Sequence, residues 1–115
     1  MYSSKKYYFL CTPMYSWDGT RLYWDKNLQN QLRVTLQKLE QSGINLIAAC
    51  RDLPQDRSGS WLRKKEFELI KRSKGVIVVL GNTPGIYAES GYALAVGKPI
   101  YGIRTEKLYD FGEKV

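Results

Sequence analysis

Apolar residues recur along the chain with two periods, and the periods alternate. Tyr7-Tyr8-Phe9-Leu10-Cys11 is a short apolar and aromatic run stopped by Thr12-Pro13, the pattern of a buried strand. Met14 to Asp25 mixes Gly19 with scattered polar groups and predicts a loop. Leu28, Leu32, Leu36 and Leu39 then return at intervals of four and three, one face of a helix closed by Ser42-Gly43. Ile44 to Ala49 predicts a second strand, and Arg51 to Ser60, with Pro54 and Gly59, a loop. Trp61 to Ser73 has helical spacing, with Trp61, Leu62, Phe67, Leu69 and Ile70 as core candidates. Gly75-Val76-Ile77-Val78-Val79-Leu80 is the strongest strand signal; a continuous β-branched run implies burial on both faces, as in a parallel sheet. Gly81 to Gly85 predicts a loop, Ile86 to Val96 a helix ended by Gly97, and Pro99 to Ile103 a last strand.

The order β-α-β-α-β-α-β predicts an α/β fold with parallel strands and right-handed crossovers. No repeat, low-complexity tract or linker interrupts it, and 115 residues suit one domain spanning 1–115. In open sheets of this kind ligands bind beyond the carboxyl ends of the strands. Functional residues are therefore expected in Thr12 to Gly19, Cys50 to Ser60, Gly81 to Glu89, or from Arg104 onward.

Composition narrows the chemistry. The chain contains no histidine, which excludes a Ser-His-Asp triad, a Cys-His pair, His-ligated zinc and an imidazole base. Acid–base or nucleophilic work falls to carboxylates, Tyr, Lys or Cys. Cys11 and Cys50 are too few for a disulfide scaffold or a Cys-only zinc site and are expected as buried, reduced thiols of a cytoplasmic protein. No segment reaches the roughly 20 apolar residues of a membrane span. Met1 to Lys6 runs directly into a strand rather than forming a signal peptide. Lys and Arg number 18 against 11 Asp and Glu, a net charge of +7. Much of the excess lies in Arg63, Lys64, Lys65, Lys71, Arg72 and Lys74. Such a run could attract nucleic acid, but it reads better as a solvated helix face with Glu66 and Glu68 as local partners.

The stretch from Gly81 to Gly91 is the most informative. Glu89 is expected in about the first turn of its helix, where free N–H groups and the macrodipole favour an ionised carboxylate. Gly85 and Gly91 leave room for backbone and ligand to approach. A carboxylate placed so could attack a sugar anomeric carbon, or could merely compensate the dipole of a surface helix. Gly81-Asn82-Thr83-Pro84-Gly85 could cradle phosphate or be a plain turn; neither a P-loop nor a dinucleotide fingerprint is present. Tyr15 and Trp17, just past the first strand, could stack on a base or sugar, or pack under the loop or at a subunit contact. Glu66 could point towards the strand ends.

The run Gly85-Ile86-Tyr87-Ala88-Glu89-Ser90-Gly91-Tyr92-Ala93-Leu94-Ala95-Val96-Gly97-Lys98-Pro99-Ile100 resembles the signature of the nucleoside 2-deoxyribosyltransferase family, which includes deoxynucleoside 5′-monophosphate N-glycosidases. Tyr101 to Glu106 and Phe9-Leu10-Cys11-Thr12-Pro13-Met14-Tyr15-Ser16 are similar to that family as well, so the resemblance covers nearly the whole chain. It implies a flavodoxin-like, Rossmann-like three-layer sandwich with a parallel sheet of four or five strands, and a homo-oligomer whose sites are completed by a neighbouring subunit. The implied reaction is transfer of 2-deoxyribose between nucleobases through a covalent sugar–Glu intermediate. The alternatives are hydrolysis of a nucleoside 5′-monophosphate, or a silent nucleotide-binding module. Substrates would be a nucleoside or nucleotide and a free nucleobase, with no metal or cofactor and no membrane.

By position, the resemblance makes Glu89 the nucleophile and Glu66 the group that handles the nucleobase or its proton. It places Tyr15 near sugar and base, Asn82 and Thr83 near the 5′ end of the sugar, and Phe9, Thr12, Pro13, Met14 and Gly85 along the substrate. The sequence departs from the family's pattern where Phe9 replaces a Tyr that contacts the nucleophile, Glu66 replaces an Asp, and Lys74 replaces a frequent Asp. Members usually continue past the position of Val115 into another helix.

Overall fold

The computed structural model describes residues 6–13, 15–54, 56–79 and 84–103. In chain order the elements are β1 (Tyr8–Cys11), β2 (Ser16–Trp17), β3 (Leu22–Tyr23), α1 (Lys26–Gln41), β4 (Leu46–Ala48), α2 (Ala49–Asp52), α3 (Gly59–Arg72), β5 (Gly75–Val79), α4 (Pro84–Ala95) and β6 (Ile100–Ile103). Four of the strands form one parallel sheet in the order β4-β1-β5-β6. The register sets Phe9 opposite Ile47 on one side and Val76 on the other, with Val76 opposite Ile100. This is the flavodoxin-like order over its first four strands, and the chain reverses direction across the sheet between β1 and β5.

Alternation along the strands divides the core into two layers. Leu10, Leu46, Ala48, Ile77 and Val79 meet Leu28, Leu32 and Leu36 of α1 on one face. Phe9, Cys11, Ile47, Val76 and Val78 meet Leu69 and Ile70 of α3 and Ala93 of α4 on the other. The helices are therefore split across the sheet, as a doubly wound three-layer sandwich requires. α1 starts where Asp25 accepts hydrogen bonds from the amides of Asn27 and Leu28, and carries its leucines inward at the predicted spacing. α4 ends where Gly97 takes φ +75°, letting the Lys98 amide donate to the Ala93 carbonyl at 2.9 Å.

Two predicted loops contain structure. Between Met14 and Asp25, β2 and β3 form an antiparallel hairpin. Its turn runs from Asp18 to Arg21: the Asp18 amide donates to the Arg21 carbonyl, the Asp18 carboxylate accepts from the amides of Thr20 and Arg21, both at 2.8 Å, and Gly19 takes φ +99°. After β4 the chain enters the single turn α2, where Asp52 accepts from the Ala48 amide at 2.9 Å. Arg51 then spans from Asp52 to Glu40 of α1 and to the Leu46 carbonyl, fastening the β4 edge to the helix layer.

Candidate active site

β1 and the two helices of the α3/α4 layer converge at the carboxyl end of β1. β1 ends on Cys11, whose side chain is fully buried. α3 presents Arg63 and Glu66, one turn apart on the same face. α4 presents Glu89, the one charged residue in that helix, with 7% of its surface exposed. The Arg63 guanidinium joins them through a single nitrogen: Nη1 lies 3.4 Å from Glu89 Oε2 and 3.5 Å from Glu66 Oε1. The Cys11 thiol hydrogen-bonds the Glu89 carboxylate from below. Beside this group the Phe67 and Tyr92 rings stack at 4.2 Å and 3°, tying α3 to α4, and the Arg63 guanidinium carbon sits 5.6 Å from the Phe67 ring centre.

Burial decides the protonation of these groups. It pushes the Glu89 carboxyl up to about 7; the neighbouring Glu66 charge adds to the rise, and Cys11 and Arg63 oppose it. Burial also raises Glu66, with Arg63 opposing. The Cys11 thiol is held well above its ordinary range by burial first and by Glu89 second, so it stays protonated and donates. Near neutrality the site therefore keeps one carboxylate readily ionised and one carboxyl readily protonated, beside one guanidinium. A pair of this kind suits nucleophile and proton donor in glycosyl chemistry. Among the described residues no group of three or more His, Cys, Asp or Glu side chains is placed to hold a metal ion.

The expected site residues separate into three groups. The structure brings Glu66 and Glu89 together around Arg63. Glu89, however, does not lie in the first turn of its helix: it follows Pro84 by five residues, so the free amides are a turn away and burial, not the macrodipole, sets its charge. Its burial also removes the reading as a surface dipole compensator. Phe9 is a correction. It is 0% exposed in the α3/α4-side core and offers no surface to a substrate, because odd positions of β1 face that layer. Pro13 is buried, and the Thr12 hydroxyl hydrogen-bonds the Cys50 sulfur across the sheet top. Tyr15 is 45% exposed and stands edge-on to Trp24 at 5.9 Å. Gly85 lies within α4 rather than in a loop. Met14, Asn82 and Thr83 lie outside the described residues.

Two site residues were not singled out in the sequence. By composition Arg63 belongs to a solvated basic face, yet it turns into the site, and its place three residues before Glu66 is the signal for that. Cys11 read as an ordinary buried thiol. It is buried and free, and Cys50 is free and half-buried.

A parallel sheet reversing at its centre, with paired carboxylates at the carboxyl ends of its strands, defines an α/β protein of the flavodoxin-like class with a site at the topological switch point. No protein-family model and no curated protein matches the chain. Among solved structures it is similar to a 2-deoxyribosyltransferase from the psychrotolerant bacterium Bacillus psychrosaccharolyticus, with a TM-score of 0.65 at 18% identity over 84% of this chain and 70% of that one. It is also similar to a 2-deoxyribosyltransferase from Leishmania mexicana, with a TM-score of 0.62 at 16% identity over 88% of this chain and 65% of that one. At these identities the likeness establishes a shared fold.

Proposed function

We propose that the protein transfers a 2-deoxyribosyl group between nucleobases through an ester on Glu89. The observation that carries this reading is the buried Glu89 carboxylate sharing one guanidinium nitrogen with Glu66 at the strand ends. Ionised Glu89 attacks C1′ through an oxocarbenium-like transition state, the base leaves as it gains a proton from Glu66, and a second base reverses the sequence. Water in place of the second base gives the hydrolase reading. The fold shared with two 2-deoxyribosyltransferases supports the substrate class. Free thiols at Cys11 and Cys50 agree with a cytoplasmic setting, and no helix among the described residues is long and apolar enough to cross a membrane.

The test is to incubate the protein with deoxynucleosides and, separately, with deoxynucleoside monophosphates, each with and without a second free base, and to chromatograph the products. Base exchange is the expected result; free base without exchange assigns the hydrolase, and no product from any substrate overturns both.

We further infer that the working unit is a homo-oligomer. α4 exposes 70% of Leu94 and 62% of Tyr87 and carries no charge outside Glu89. Leu94→Glu should lower the mass measured by light scattering to that of one chain; an unchanged mass removes this face from the contact.

A further inference from the structure

The basic run on α3 contains one cation that the solvated-face reading does not explain. Arg63 uses one nitrogen for two carboxylates, at 3.4 and 3.5 Å, and so is saturated by neither. Among the described residues the ionisable groups that meet it are Glu66 beside it on α3, Glu89 from α4, and the protonated Cys11 thiol from β1. One positive charge for two buried carboxyls neutralises one of them, and the other retains a proton. The guanidinium also lies over Phe67, which is fixed by its stack on Tyr92. A planar cation on a fixed ring can turn from one oxygen to the other without leaving its support.

We propose that Arg63 is a positioning residue whose charge serves Glu89 in the attacking form of the enzyme and Glu66 in the covalent intermediate. The inference rests on the glycosyl-transfer reading above. Burial favours the proton on Glu89, so the first half-reaction starts from the form in which that proton has passed to Glu66 and Glu89 is ionised against Arg63. The C1′–N bond breaks with its electron pair going to the base nitrogen, that nitrogen takes the Glu66 proton, and a Glu89 oxygen bonds to C1′. Glu89 is then a neutral ester and Glu66 an anion, so the negative charge has crossed the guanidinium. In the second half-reaction the incoming base nitrogen, or water, bonds to C1′ and gives its proton to Glu66. The ester C–O bond breaks with its pair returning to Glu89. The cluster holds one positive and one negative charge in each resting state, so no step leaves an unpaired ion in the buried site. This explains why one weakly held cation is better here than two saturated ones: a saturated guanidinium could not follow the charge.

The test uses Glu89→Gln, which is neutral at position 89 like the ester. The full chain, labelled with ¹³C at the glutamate carboxyl carbons, is titrated by NMR in four forms: wild type, Arg63→Met, Glu89→Gln, and the double variant. Removing Arg63 should shift the Glu66 titration further when residue 89 is Gln than when it is Glu, by roughly one pKa unit, or tenfold in proton affinity. Equal shifts in both backgrounds overturn the proposal. In turnover, Arg63→Met should move the acidic limb of the base-release pH profile to higher pH, and Arg63→Lys should restore part of that shift; a profile that Arg63→Met leaves unmoved also overturns it. Amide spectra of each variant establish that it is folded. An active enzyme without the coupling removes the Arg63 role alone, whereas a wild type inert towards every substrate takes the glycosyl-transfer reading down with it.

Discussion

Two arginines in this molecule each face two carboxylates, and they differ in how fully they are bound. Arg51 spends separate nitrogens on its partners: Nη1 on Glu40 at 2.7 Å, Nε and Nη2 on the two oxygens of Asp52 at 2.9 and 3.0 Å, and Nη2 again on the Leu46 carbonyl. Its partners are open to solvent, and their hydrogen bonds hold the Arg51 guanidinium well above its ordinary pKa. Arg63 spends one nitrogen on two oxygens at longer range, and both of those carboxyls are largely buried. The first arrangement is complete and does architectural work, holding β4 and α2 against α1. The second is incomplete, and burial leaves both carboxyls with raised proton affinity. Saturation marks structure; a shortage of countercharge in a buried place marks chemistry.

That contrast can be broken experimentally, beginning with the largest effect. Glu89→Gln should reduce base release on the order of 10⁴-fold or more, since it removes the proposed nucleophile. A chromatographic rate within tenfold of wild type would take Glu89 out of the mechanism. The same substitution should alter stability in the opposite sense. Glu89 binds its proton more tightly in the folded chain, up to about 7, than in the unfolded one. Its favourable contribution is thus complete below the unfolded pKa of about 4.3 and is lost as pH rises through about 7. At pH 8 Glu89→Gln should be more stable than wild type by up to roughly 3 kcal/mol, with little difference at pH 4, as read from urea denaturation. A stability gap that does not grow with pH would contradict the burial assignment.

Activity should follow the same proton with the other sign. kcat/KM should climb as pH rises towards 7 because the attacking carboxylate must be ionised. Glu66→Gln should slow base release by roughly a hundredfold and shift that climb to lower pH, since one repulsive charge beside Glu89 is gone. An unmoved pH profile would separate the two carboxyls. The smallest effect belongs to the saturated network. Arg51→Gln should cost about 1 kcal/mol after solvent screening, a few degrees in Tm by calorimetry, and leave the pH profile of turnover unchanged. A changed profile would erase the distinction between the two arginines.

The layers of the fold were legible because each is written in one local period. The leucine spacing of α1 and the β-branched run of β5 name their elements without reference to the rest of the chain. The hairpin was not read because its strands are two residues each, too short for alternation to register, although Asp18-Gly19 carried the turn signal. Glu66 and Glu89 were reached through their neighbours in sequence. What surrounds them was not, because a charge environment is assembled across elements: Cys11 comes from the first strand and Glu89 from the last helix. Arg63 illustrates the limit best. Its neighbours Lys64 and Lys71 share its composition, and helix rotation, readable only through its spacing from Glu66, distinguishes the one that turns inward.

The stacked rings of Phe67 and Tyr92 have a consequence for how this scaffold can change over generations. They clamp together the two helices that carry the acid pair, while the exposed aromatics Tyr15, Tyr23 and Trp24 sit on or beside the hairpin that follows β1. The acid pair and the exposed aromatics are thereby housed in separate parts of the chain. Drift in the hairpin can therefore alter that exposed surface while the acid pair keeps its tuning, so the two can change independently over generations.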